Sequence, residues 1–461
     1  MNGSAPQRPV MQIAALAWPI LVGQLAVIAN GVIDTAMTSR FSATDLAALS
    51  IAVSIYISVF VGANGVLYAL APIVGQLYGA GRFEAIGAEV RQGIWLALFL
   101  TVVGCLILLF PGPLLSLAQA PPELHAKATT YLQLEALALP AALGFRIFGS
   151  FSTAIARPRA VMLIQVAALA LKIPLNAWFI FGGLGLPAMG GPGCALATAV
   201  TSWLSLAASL VILRWSPLYQ RFKLFGAGMA APRWRAQVAL LKLGIPMGLS
   251  YLIEVSAFTF MALFIARLGE TAVAGHQITA NFVTVLYMLP LSIGSAASTL
   301  VAHALGAKDV KGAQHVGNIG ILVAAGVAAA AAIAVWFGRP FIIRAYTPDP
   351  VVIAAAMPLY AFVGIYHFCD ALQASAAYIL RGYKVTLIPT VIYALMLWGV
   401  GLGGGYLLGF DMLGLAPRVP DGAAGFWIGN SASVLLAAVF LLWYLRSVQK
   451  TVRKRHAASQ A

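Results

Sequence analysis

Three acids sit where an acid is expensive. Asp34, Glu254 and Asp370 each lie inside a long apolar run. A carboxylate in the middle of a membrane-spanning helix costs about 2.5–3.5 kcal/mol on insertion scales. Asp370 falls in LYAFVGIYHFCDALQ, residues 359–373. At helical spacing Tyr366, Asp370 and Gln373 share one face, with His367 on nearly the same stripe. That face needs water, a cation or a partner helix. A polar patch that glues helices together would satisfy it, but an ion or substrate site is the default for an intramembrane acid. The chemistry on offer is cation exchange. Neighbouring buried carboxylates repel, and a proton, a metal ion or an organic cation relieves the repulsion. Glu254 and Asp370 each bring two carboxylate oxygens, a donor set that suits a hard ion such as sodium, which is favoured here over a proton alone.

Other charged residues carry less. Glu135 begins near the end of an apolar run and is expected to line a vestibule or the outer surface. Lys172 lies mid-run in LKIPLN with Asn176 four residues on, and is expected to pair with an acid of its own half. Arg146 reads as a structural partner or a snorkelling base. His367 and Asp370 form an HxxD pair, a weak signal for metal or acyl-transfer chemistry, and no other histidine clusters with them in sequence. Cys105, Cys194 and Cys369 form no CxxC and are odd in number, so they read as core packing. No GxxxxGK[ST], HExxH or GxSxG occurs, and the short connections leave no room for a nucleotide-binding domain. Transport by such a chain is secondary, with no cofactor and no ATP-binding subunit.

The positioning elements are membrane helices. The chain has 461 residues, 61% hydrophobic and 9% charged, where a soluble domain carries about 25% charged residues. About 20 apolar residues span a bilayer. Twelve such runs are expected: 10–38, 46–77, 93–111, 124–155, 160–182, 193–214, 238–266, 272–304, 316–337, 351–380, 385–409 and 423–445. Prolines 19, 140, 174, 246, 290, 358 and 389 fall inside them, where a helix can bend. The opening MNGSAPQRP shows no cleavage pattern, so no signal peptide is expected. The net charge of +15 is a topology signal and does not point to nucleic acid. Twenty of the 28 Lys and Arg border connections on the side of the two termini and six border the opposite ones. By the positive-inside bias both termini are cytoplasmic.

The chain repeats. At one constant offset Pro19 meets Pro246, Arg40 meets Arg267, Thr44 meets Thr271, Gly79-Ala80 meets Gly306-Ala307, Pro113 meets Pro340 and Pro121 meets Pro348. The expected architecture is an all-α polytopic membrane protein, twelve transmembrane helices in two pseudo-symmetric six-helix lobes. Six spans per lobe make the repeats parallel. The lobes are expected at 1–214 and 238–445, with a basic cytoplasmic linker at 215–237 and a basic tail at 446–461 that frays. The acids do not repeat: Asp34 lies opposite Met261, Glu254 opposite Val27 and Asp370 opposite Leu143.

Several motifs in this order resemble one family over nearly the whole chain. They are AWPI and VIDTAMTSR in the first run, GQLYGAG after the second, KIPLN, GIPMGLSYLIEVSAF, AGHQI and YHFCDALQ. The chain resembles the multidrug and toxic compound extrusion (MATE) transporters in their NorM-type bacterial branch. The resemblance implies a V-shaped, two-lobed protein of the bacterial inner membrane, expected as a monomer among lipids. It implies export of cationic drugs in exchange for sodium ions or protons. By position, Glu254 and Asp370 resemble the C-lobe cation-site acids, with Tyr366 able to offer a ring face to a cation. Asp34 resembles the N-lobe proton or cation acid, with Asn176 and Thr198 as its polar neighbours. Some relatives carry a second acid just after the Asn. This chain has Ile180 and Phe181 there, which argues against a two-carboxylate N-lobe site.

Two alternatives remain beside an antiporter: a lipid-linked oligosaccharide flippase of the same superfamily, which needs a basic cavity, and a membrane-embedded enzyme, which needs clustered catalytic residues at one interface. The charge count makes the orientation testable. In a cysteine-free background, a cysteine placed in 215–237 should resist an impermeant thiol reagent in intact cells and react in inverted vesicles. Labelling in intact cells would reverse the topology.

Overall fold

A computed structural model of the protein describes residues 9–117, 121–183, 185–225, 231–415, 420 and 422–459. Arg8 and Arg418 of the charge count, and residues 226–230 of the linker, lie outside the described residues. Inside a bilayer every backbone N–H and C=O has to be satisfied within the chain, so long apolar runs become helices. Among the described residues twelve helices are long and apolar enough to cross a membrane. In chain order these are α1 (Pro9–Phe41), α2 (Ala43–Gly79), α3 (Phe83–Leu109), α4 (Pro122–Ala154), α5 (Arg159–Phe181), α6 (Gly191–Trp215), α7 (Trp234–Ala266), α8 (Glu270–Gly306), α9 (Val310–Tyr346), α10 (Pro350–Gly382), α11 (Leu387–Gly409) and α12 (Gly422–Ala458). Among the described residues the only β pairing is an isolated bridge between Gly183 and Leu186.

Local signals set several helix starts. Ser42 precedes α2 and its side chain accepts the Asp45 N–H. Asp309 does the same for Gly312 at the start of α9, and Asp349 for Val351 at the start of α10, where Pro350 takes the first position. The expected spans are too short in three places. Residues 83–92, expected in a connection, belong to α3. The ninth span starts at Val310 and takes in Pro340. The tail expected to fray continues α12 to Ala458, with Arg455 and His456 in its last turn beside the helix carbonyl end. The linker also carries a short helix, Pro217–Gln220, and the first turn of α7. Pro389 lies in the first turn of α11, where it breaks no internal hydrogen bond.

The repeat is visible in the helix register. Ala43 and Glu270 open α2 and α8, and Phe83 and Val310 open α3 and α9, each pair separated by the same offset as Pro19 and Pro246. The backbones still differ. In α2 a turn at Tyr68 and Ala69 separates Ala43–Leu67 from Leu70–Gly79, while α8 is continuous through Pro290. In α11 residues Ala394–Gly404 are wound as a π-helix.

The chain divides into two compact units, Val22–Gly248 and Leu249–Ala461 with Met1–Leu21. The cuts between these units fall inside α1 and α7, just past Pro19 and just past Pro246. Packing gives the reason. Ile13 and Ala17 of α1 are buried with Ile293, Ala296 and Ala324. Leu240 and Met247 of α7 belong to the core that holds Leu67, Leu70 and Ile147. The second unit has its own core around Leu359, Tyr360, Val363, Trp427 and Leu441.

Within the second unit α11 and α12 meet glycine on glycine. A methyl carbon added at Gly425 would lie 2.7 Å from the Gly409 nitrogen and 2.8 Å from the Leu408 carbonyl carbon, whereas one at Gly326 would meet nothing within 4 Å. Small residues allow such close backbone approach between membrane helices. Gly425→Ala should therefore destabilise the protein by about 1–3 kcal/mol through overpacking, and Gly326→Ala should not. Thermal unfolding in detergent micelles checks this, and equal midpoints for the two variants would refute it.

Candidate functional site

In the Val22–Gly248 unit four helices bring one polar cluster together. Asp34 comes from α1, Glu135 from α4, Lys172 and Asn176 from α5, and Thr198 from α6. Lys172 Nζ lies 2.7 Å from Asp34 Oδ2 and donates to Thr198 Oγ1 at 2.9 Å. Asn176 Nδ2 donates to Asp34 Oδ1 at 2.7 Å. Asp34, Glu135, Lys172 and Asn176 are all buried. The expected partner of Lys172 is thus Asp34, supplied by the first helix of the unit; the ammonium group joins Asp34 to Thr198, and Asn176 holds the other oxygen of Asp34.

Glu135 corrects its expectation. It is 1% exposed and lies well inside α4, where Tyr131, one turn earlier, donates its hydroxyl to Oε1 at 3.1 Å. The apolar run that contains it begins at 124, but the helix begins at Pro122 and extends over 33 residues. This places Glu135 far from either end and away from any outer surface. A second carboxylate therefore does join this unit's cluster, supplied by α4 instead of the position after Asn176.

A neighbouring ion pair is architectural. Asp45 of α2 receives Lys127 of α4 at 2.8 Å and the Gly191 N–H, which opens α6, at 2.9 Å. One carboxylate thereby ties three helices. Arg146 is also structural, lying 4.4 Å over the Tyr68 ring.

The second unit is polar in a different way. Asp370 is buried and accepts from Gln373 Nε2 at 2.7 Å, the contact expected from their shared helix face. Glu254 of α7 is half-buried, and the Tyr287 hydroxyl of α8 reaches it at a long 3.5 Å. The two acids are near enough to interact through their charges, and the Arg381 guanidinium also acts on Glu254 through its charge. Among the described residues no Lys or Arg nitrogen comes within ion-pair distance of either. Tyr366 is buried beside them, and Phe258 and Trp427 meet its ring nearly at right angles, with centroids 6.2 and 5.7 Å away. Neither ring nitrogen of His367, one turn from Asp370, has a hydrogen-bond partner. Among the described residues no group of three or more His, Cys, Asp and Glu side chains could hold a metal ion.

Sequence reasoning missed the tyrosines and the base next to this site. Tyr251 lies one turn before Glu254, its hydroxyl is 2.6 Å from that of Tyr378, and it accepts from Arg381 Nη1 at 3.0 Å. The Arg381 guanidinium stacks 4.2 Å from the Tyr378 ring centroid. Arg381 counts as a connection residue in the charge tally, yet it lies in the last turn of α10 and is 8% exposed. The helical spacing of Tyr251 and Glu254 was the available signal for this face.

The family model described as MatE matches the chain twice, over residues 19–178 and 246–407, and the two matches begin at the paired prolines of the repeat. This chain belongs to the MatE family. It is 42% identical over 436 residues to the probable multidrug resistance protein NorM of Aromatoleum aromaticum, covering 94% of this chain and 93% of that protein. It is 36% identical over 451 residues to the multidrug resistance protein PmpM of Pseudomonas aeruginosa, covering 96% and 92%. Its fold is similar to that of the eukaryotic MATE transporter AtDTX14, with a TM-score of 0.85 and 97% and 99% of the chains covered at 21% identity. It is also similar to the Vibrio cholerae MATE transporter VcmN in its bent form, with a TM-score of 0.83, 96% and 98% coverage and 18% identity. MatE proteins are transporters, so the membrane-embedded enzyme weighed from the sequence is set aside. The two-lobe helical fold is that of the family.

The ion pair in the first unit makes a direct prediction. Removing one partner of a buried pair leaves a charge uncompensated and costs about 3–5 kcal/mol. Lys172→Met should lower the unfolding midpoint in detergent sharply, and adding Asp34→Asn should restore part of the loss. A double variant no more stable than Lys172→Met alone would show that the pair is not coupled.

Proposed function

We propose that this chain is a secondary active antiporter of the bacterial inner membrane that exports organic cations and drugs in exchange for sodium ions or protons. The observation that carries the reading is the pair Glu254 and Asp370: two acids in an apolar layer, within charge range of each other, with no basic partner at ion-pair distance among the described residues. A positive charge from outside the chain completes such a site. Sodium is the favoured coupling ion, because two carboxylates offer the hard oxygen ligands it prefers, and Tyr366 contributes a neighbouring π-face.

Competition is sufficient for exchange. An ion and a cationic drug that cannot occupy the carboxylates together exclude each other. Two states of the protein with different affinities then convert an ion gradient into drug movement. The names of the NorM and PmpM relatives, which are multidrug resistance proteins, support the same substrate class. The cluster of Asp34, Asn176 and Thr198 is the second polar site of the transporter. The chain works as a monomer among lipids, with both termini cytoplasmic and no ATP-binding subunit. A flippase for anionic pyrophosphate lipids needs an open basic cavity. Lys172 is engaged by Asp34 and Arg381 is wedged between tyrosines, which favours the antiporter.

In proteoliposomes at equal pH on both sides, an imposed sodium gradient should drive uptake or release of a cationic dye. Asp370→Asn or Glu254→Gln should abolish or strongly reduce that movement with expression near normal. Transport driven by a pH gradient alone would remove sodium as the coupling ion, and near-normal drug resistance in both variants would remove these acids from the mechanism.

A further inference from the structure

The cluster of the Val22–Gly248 unit holds two buried acids and one buried base, and the base is already committed. Lys172 Nζ is shared between Asp34 Oδ2 and Thr198 Oγ1. The other oxygen of Asp34 is taken by Asn176. Asp34 is thus ion-paired and hydrogen-bonded on both oxygens. Glu135 is not: Oε1 has the Tyr131 hydroxyl, while Oε2 is fully enclosed and has no partner. Asn176 Oδ1, in the same cluster and also buried, has none either. With every group ionised the cluster carries one negative charge too many for its surroundings, and that charge sits on Glu135.

Polar groups from five helices interact with Glu135. They are Lys172 from α5, Asp34 from α1, Tyr56 from α2, Thr198 and Cys194 from α6, and Tyr131 from its own helix. Lys172 is the only cation among them. A proton arriving at Asp34 would strand the Lys172 ammonium without its counter-ion, and a buried unpaired charge is costly. A proton or a sodium ion arriving at Glu135 disturbs no existing pair. It supplies what the open Oε2 lacks.

We propose that Glu135 is the exchangeable cation site of this unit, taking a proton or a sodium ion, while Lys172 remains the resident counter-ion of Asp34. This refines the antiport reading and rests on it only for its role in transport; occupancy of Glu135 can be measured without transport.

Infrared difference spectroscopy on the purified full-length protein, with and without sodium chloride against choline chloride, reads a protonated carboxyl directly. Equilibrium binding of radioactive sodium reads the other ion. Glu135→Gln should delete one protonated-carboxyl band in sodium-free buffer, a loss that the Lys172-paired Asp34→Asn does not reproduce. Where sodium is the occupant, the wild-type band should vanish on adding sodium, and Glu135→Gln should bind about one sodium ion fewer. Glu135→Asp should keep the band, shifted, and it serves as the test if the Gln variant does not fold. An unchanged carboxyl band together with an unchanged sodium count in the Glu135 variants would overturn the proposal. Failure of the antiport reading looks different: the wild type would then move drug independently of any ion gradient, whatever the spectra of Glu135.

Discussion

A charge inside an apolar layer has to be compensated where it stands, because there is no solvent to do it. The interior of this protein follows from how each buried charge meets that demand. Asp45 meets it with Lys127 and a backbone N–H, and in doing so ties α2, α4 and α6 together. Asp34 meets it with Lys172 and Asn176. Arg381 meets it with the Tyr251 hydroxyl and the ring faces of Tyr251 and Tyr378. Glu254 and Asp370 receive only hydrogen bonds from neutral side chains. These solutions differ in one respect that matters for function: the first three are complete within the chain, and the last is not.

The repeat sharpens that contrast. The starts of α2 and α8, the starts of α3 and α9, Pro19 and Pro246, and the two cuts between the compact units keep one constant spacing. Those features answer demands that are the same in both halves: span a bilayer, satisfy the backbone and bend at a defined depth. The buried charges answer local demands and do not recur. Lys172 lies in the middle of α5, whereas its counterpart in the other half, α11, has no Lys or Arg between Leu387 and Gly409. One half therefore has a base in this helix where the other has none, and in the half without it Glu254 and Asp370 have no Lys or Arg at ion-pair distance among the described residues.

This division explains what could be read from the sequence. The twelve spans, the repeat and the depth of Asp34, Glu254 and Asp370 are properties of local composition and spacing, and they were legible. The stripe of Tyr366, Asp370 and Gln373 is helical geometry, and the Gln373–Asp370 bond bears it out. Pairings between helices far apart in the chain, as between Lys172 and Asp34, depend on which helices pack together, and no local pattern encodes that. Glu135 and Arg381 were misjudged for a shared reason. Hydropathy marks where apolar residues stop, whereas helices continue past that point, so residues near the ends of apolar runs look shallower than they are. The span boundaries at 93, 316 and 446 erred in the same direction.

The two ways of balancing charge also respond differently to their surroundings. A tethered ammonium is present at a constant effective concentration set by its side chain and helix. The Asp34–Lys172 pair is therefore indifferent to the ionic composition on either side of a membrane. Carboxylates without an internal cation are filled according to the concentration of ions and cationic solutes that reach them. Sensitivity to a gradient belongs to the incompletely balanced acids, and a resident base at such a site would remove it. In this chain the buried bases stand beside Asp34 and among the tyrosines, and the acids left open to an outside cation are Glu254, Asp370 and, through its free oxygen, Glu135.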